Sequence, residues 1–189
     1  AEGSADSDQQ DTIVVTGTRE QPYAVDSAVS ATKTDAPILK IPQIVNVVPE
    51  QVLLDQQVRS LSEALRNVSG ITENNASFFG DTLIIRGFSS AGNGTLRDGY
   101  ATIQEFALNA AVQRVEVLKD RFEPGGLINV ITKKPQQSFA FDAYAQLSSR
   151  GTRRLVGDVT GPLSDGLALR LVAEVEDSEY WRNVGRDRE

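Results

Sequence analysis

Arg114-Val-Glu-Val-Leu-Lys119 and Glu123-Pro-Gly-Gly-Leu-Ile-Asn-Val-Ile-Thr-Lys-Lys-Pro135 decide how this chain is read. Each run has strand-like alternation, and the Pro-Gly-Gly between them marks a tight backbone reversal. Residues 115–119 and 127–132 are therefore expected to pair antiparallel, with seven residues to connect them. Ile84, Val115, Val117, Ile128 and Val130 are the core candidates.

Outward from this hairpin the signals are shorter. Residues 12–16 form a β-prone run in polar surroundings, and the stretch to Pro37 reads as linker or irregular edge. Residues 41–48 read as a short buried strand closed by Pro49, which then opens a helix carrying Val52, Leu53 and Gln56. Ser60 and Glu63 have capping-box spacing ahead of an apolar face of Leu61, Ala64, Leu65 and Val68, and Gly70 is expected to stop that helix. Residues 83–85 read as a strand ending at Arg86-Gly87. The sequence from 89 to 94 reads as a loop, and residues 99–114 stay ambiguous.

The 189 residues suffice for one substantial domain and part of another. A net charge of −7 argues against a nucleic-acid partner, because phosphate binding needs a basic face. There is no Cys, which excludes disulfides and thiolate chemistry, and no His, the commonest general base and metal ligand. With no catalytic constellation visible, the chain reads as a non-enzyme without a cofactor or metal of its own. No run of about 18 apolar residues predicts a transmembrane helix. Glu2, Asp6, Asp8 and Asp11 lie in an opening stretch without Lys or Arg and almost without large apolar groups, so a disordered arm is expected. Ala1-Glu2-Gly3 reads as a mature start after cleavage of an export signal.

Beyond Pro135 the texture changes. Phe139, Phe141, Ala143, Ala145 and Leu147 share one strand face, with Asp142, Gln146 and Ser148 on the other. A second alternating strand runs to about Val159, and Pro162 to Gly166 is expected to turn the chain. Leu167, Leu169, Leu171, Ala173 and Val175 then alternate with Arg170, Glu174 and Glu176. Strands of about ten residues with one apolar face fit a transmembrane β-barrel meander, and Tyr180-Trp181 fits its aromatic girdle. A soluble antiparallel sheet gives the same alternation, so the pattern alone leaves both open.

Taken in order, residues 11–16, Ile84-Ile-Arg-Gly-Phe88, Arg97-Asp-Gly-Tyr100 and the two opening runs resemble the plug domain of TonB-dependent outer-membrane receptors. The ferric-siderophore branch is the most similar, over roughly residues 11–177. The resemblance implies an α+β plug, a small mixed β-sheet with short helices, followed by the first antiparallel strands of a transmembrane β-barrel. The expected divisions are an arm over 1–22, the plug over 23–135 and about three barrel strands over 136–189. Large barrels of this type carry about 22 strands, so the chain is expected to be part of a longer protein.

The same resemblance implies a receptor in the outer membrane of a Gram-negative-type bacterium, with its arm in the periplasm. It would take up a ferric siderophore and be surrounded by outer-membrane lipid. Asp11, Thr12, Ile13, Val14, Val15 and Thr16 would be the TonB box, a strand that TonB joins by β-augmentation. Arg86 and Glu116 would help pack the plug and tie it to the barrel wall. The outward loops over 74–79 and 100–106 would floor the ligand site, through Phe78, Phe79, Arg97, Tyr100, Gln104 and Phe106. The alternatives are a soluble periplasmic module that engages TonB, or the same receptor class carrying cobalamin, a sugar or another metal complex. One departure stands out: relatives carry about seven more residues, roughly Pro-Ala-Ser-Val-Leu-Tyr-Gly, where Lys119 here is followed by Asp120 and Arg121. Residues omitted at this junction are favoured over a true deletion, which predicts a Cα separation well above the about 3.8 Å of a peptide link.

Overall fold

The computed structural model describes residues 23, 25–73, 83–90, 94–102, 110–119, 125–148 and 151–177. The arm with residues 11–16, the 74–79 loop, residues 103–106, the Asp120–Arg121 junction and Tyr180-Trp181 lie outside the described residues.

Two short strands, β1 (Ser27–Ala28) and β2 (Ala36–Pro37), form a satellite hairpin, followed by β3 (Ile44–Pro49). Helices α1 (Glu50–Asp55) and α2 (Leu61–Leu65) come next. They are followed by β4 (Ile71–Glu73), β5 (Leu83–Ile85), β6 (Phe88–Ser89), β7 (Thr95–Arg97) and β8 (Tyr100–Ala101). The long strands are β9 (Val112–Lys119), β10 (Leu127–Thr132), β11 (Ala140–Leu147), β12 (Arg153–Ser164) and β13 (Leu167–Asp177).

The expected hairpin is the centre of the fold. β9 and β10 pair antiparallel from Leu118–Leu127 to Val112–Thr132 and sit inside a sheet ordered β3-β9-β10-β7-β8. The sheet is mixed because β7 runs parallel to β10 while the other neighbours are antiparallel. Gly126 shows why the reversal needs glycine. Its φ is +115°, and a Cβ there would sit 2.7 Å from the Leu118 carbonyl oxygen, a contact no side chain tolerates.

One face of this sheet supplies the core. Val115, Val117, Ile128 and Val130 are fully buried against Leu53, Leu61, Ala64, Leu65, Leu83 and Ile85. Ser60 caps α2 by accepting from the Glu63 amide, and the Glu63 carboxylate accepts in return from the Arg59 amide, 2.8 Å away. Two of the motifs prove to be hairpin turns. Arg86-Gly87 joins β5 to β6 and Asp98-Gly99 joins β7 to β8, each with positive φ at both central residues.

Several local expectations need correction. β3 starts at Ile44 and is a sheet edge with only Val48 buried, because it has a neighbour on one side alone. α2 ends at Leu65, and Val68 reaches the core from the turn beyond, where Gly70 takes φ +74°. β9 begins at Val112, three residues before its valine alternation becomes visible. Ile84 is only half-buried, since Leu83 and Ile85 are the residues that point inward. β12 continues through Pro162 to Ser164 over a register shift, leaving the turn to Asp165-Gly166.

The second sheet, β11-β12-β13, is built inside out. Its apolar face is bare, with Phe141 63%, Leu171 61% and Val175 70% exposed. Its polar face is covered: Arg154 is 7% and Asp158 4% exposed, with Thr152 and Thr160 equally sheltered. A soluble sheet buries its apolar side, so this inversion decides for strands of a membrane barrel with the plug on their inner face.

Candidate functional site

The polar side of the second sheet meets the plug through charge. Asp158 on β12 accepts from Arg170 of β13, at 2.8 Å from Nε and 2.5 Å from Nη2, and from Lys133 Nζ at 3.0 Å. Lys133 follows β10 directly and also meets Glu50, the first residue of α1, at 2.7 Å. One lysine thus joins the core sheet, a plug helix and the wall. Burial pushes the Lys133 ammonium toward neutrality, but its bonds to Glu50 and Asp158 outweigh that, and its pKa lies above the ordinary lysine value.

Two further contacts extend this seam. Arg154 Nε donates to Glu174 at 2.7 Å, and the other Glu174 oxygen accepts from the Ala110 amide at 3.0 Å. Arg59, just before α2, pairs with Glu176. Gln136 and Thr160 close the connection between the sheets with a 2.9 Å hydrogen bond. Between α1 and β11 lies a cavity of about 500 Å³ lined by Leu53, Val58, Val112, Lys133, Tyr144 and Arg154, among others.

A second polar cluster lies on the opposite face of the core sheet. Glu116 is fully buried and accepts from the Ser30 amide at 2.9 Å, Ser30 Oγ at 2.5 Å, the Val29 amide at 3.1 Å and Arg114 Nε at 2.7 Å. Asn129, directly across from Glu116 in the β9–β10 register, donates to Ser30 Oγ at 3.0 Å. These partners are 86 and 99 positions apart in sequence.

Arg86 does not join Glu116. It is exposed in the β5–β6 turn with φ +51°, beside Lys119, whose pKa is lowered by burial first and by the Arg86 charge second. Lys119 instead donates to the Ser69 carbonyl at 2.6 Å. Of the ligand-contact candidates, Arg97 and Tyr100 face each other across the β7–β8 hairpin, with Tyr100 exposed. Phe78, Phe79, Gln104 and Phe106 lie outside the described residues.

Sequence reasoning missed Lys133, Asp158, Arg170, Arg154 and Arg59 as contact residues, and placed Glu174 and Glu176 on the polar face of a strand without naming their partners. The available signal was a charged side chain at alternate positions, 154 and 158 on β12 and 170 and 174 on β13. In a barrel those positions point at the plug.

A plug-like mixed sheet joined directly to an inverted sheet defines a class. Residues 37–124 match the TonB-dependent Receptor Plug Domain, and this chain belongs to the TonB-dependent receptors. Among individual proteins it is similar over its whole length, at 31% identity, to the catecholate siderophore receptor Fiu of Escherichia coli K12, covering 26% of that protein. The metal-pseudopaline receptor CntO of Pseudomonas aeruginosa PA14 is 34% identical over 86% of this chain and 25% of its own length. In structure, the siderophore receptor PiuA from Acinetobacter baumannii aligns with a TM-score of 0.76 at 28% identity, over 86% of this chain and 24% of PiuA. The chain therefore spans about a quarter of the length of the relatives it matches.

Proposed function

We propose that this chain is the gating part of an outer-membrane receptor that takes up a ferric siderophore. Its plug blocks the barrel, and TonB opens it by pairing in the periplasm with residues 11–16. The observation that carries the reading is the inverted sheet, whose apolar side faces outward while its charged side grips the plug through Asp158 and Glu174. The cargo class follows the relatives, whose names specify catecholate siderophores and metal-pseudopaline. The chemistry is binding and gating rather than catalysis, with the metal complex as cargo. A free-standing soluble module is disfavoured because Phe141, Leu169 and Leu171 would stay in water. Arg97 and Tyr100, with Phe78, Phe79, Gln104 and Phe106, are the proposed floor of the ligand site. The exposure of Tyr100 on β8 supports including it.

Val14→Pro tests the coupling. Proline removes a backbone donor from the strand that TonB joins. In the complete receptor, energised uptake of labelled ferric siderophore should fall to background while equilibrium binding to the same cells is retained. Uptake at the unmodified rate would refute the assignment of residues 11–16.

A further inference from the structure

We propose that residues 27–37 form a detachable strap, held on the core sheet by the Glu116 carboxylate and able to open as a unit while that sheet stays folded. The strap lies on the sheet face opposite α1 and α2. Its apolar attachment is slight: within 27–37 only Ala28 and Ser30 are buried, so a single methyl is its fully buried apolar group. Its internal ladder is two residue pairs, Ser27–Pro37 and Ala28–Ala36. Polar bonds supply the rest. The Val29 amide, the Ser30 amide and the Ser30 hydroxyl all converge on Glu116, and Asn129 completes the hydroxyl's bonding.

Such adhesion differs in kind from the core. Charge-assisted hydrogen bonds are short-ranged and directional, so a small displacement breaks the whole set together. The carboxylate keeps Arg114 as its partner when the strap leaves, because Arg114 belongs to the same strand. Opening therefore leaves Glu116 paired and exposes little apolar surface, which makes the open state accessible without global unfolding. The core face of Val115, Val117, Ile128 and Val130 is untouched by this movement.

The position in the chain gives the strap its consequence, which rests on the proposed role of residues 11–16. Tension on that segment reaches Tyr23, hydrogen-bonded to Asp55, and then the strap, before any strand of the core sheet. The strap is then the element whose release precedes remodelling of the plug.

Hydrogen exchange on the complete receptor tests the strap without TonB or uptake, so its outcome is independent of the Val14→Pro result. In Glu116→Gln one acceptor oxygen becomes a donor facing the strap amides. The amides of Val29, Ser30, Lys33 and Ile38 should exchange at least about tenfold faster, with Ile128 and Val130 unchanged. Ser30→Ala, which keeps both backbone bonds, should give a smaller rise confined to the same amides. Unchanged exchange in the strap, or an equal rise across the core strands, would overturn the proposal. If Glu116→Gln does not fold, Ser30→Ala decides by the same readout.

Discussion

Asp158→Ala is expected to loosen the plug from the wall more than any other single change at their contact. The carboxylate is almost wholly buried and holds two cations, Arg170 and Lys133, each with under a sixth of its side chain exposed. Without it both charges remain in a sheltered site: Lys133 keeps its contact with Glu50, while Arg170 is left with only the through-space attraction of Glu50 and Asp142. Breaking such a pair costs about 3–5 kcal/mol, mostly from the charges left behind. Denaturant unfolding of the complete receptor should show a loss in this range. Removing Glu176, whose partner Arg59 is 42% exposed, should cost about 1 kcal/mol or less. The pH dependence has a definite sign. The folded pKa of Lys133 is raised, so its contribution is full below the ordinary lysine value and lost only as pH rises through the higher folded one. The seam should hold unchanged across neutral pH.

Leu171→Arg should have the second largest effect, through the opposite face. Leu171 lies mid-strand in β13, in register with Val159, which in turn pairs with Phe141 to form an outward apolar row. An arginine near the middle of a barrel strand's lipid face costs about 2–4 kcal/mol. The folded fraction recovered in lipid vesicles should drop accordingly, while Leu171→Ala should be far milder. Equal recovery of the arginine and alanine variants would place that face away from lipid.

The parts of this fold that the sequence made legible are those set by local periodicity and turn chemistry. The β9–β10 hairpin, the Ser60 cap and the three amphipathic strands all follow from side-chain spacing within about ten residues. What stayed hidden depends on distant neighbours. Periodicity places Arg154 and Asp158 on one face and Leu155 on the other, but it has no sign: only the plug's presence shows that the charged face is covered. Glu116 read as a structural charge, yet its partner Ser30 is 86 positions away in a stretch that looked like linker. Arg86 reads as the end of a buried strand, but with Gly87 it forms a two-residue turn and is exposed. β7 and β8 are too short for alternation to register, and they owe their existence to pairing with β10 and the Asp98-Gly99 turn.

The orientation of the second sheet is the claim on which the rest depends, and spin-label accessibility measures it directly. Single cysteines, introduced with any Cys outside these residues replaced, can carry nitroxides at outward positions 169, 171 and 173 and inward positions 168 and 172. In the complete receptor in lipid bilayers, the outward labels should be open to oxygen and closed to a polar chelate, as a lipid-facing site is. The inward labels, against the plug, should be closed to both. An alternation of period two with this sign is the predicted result. Equal accessibility at all five positions, or chelate access at 169 and 171, would contradict a barrel wall with the plug inside it.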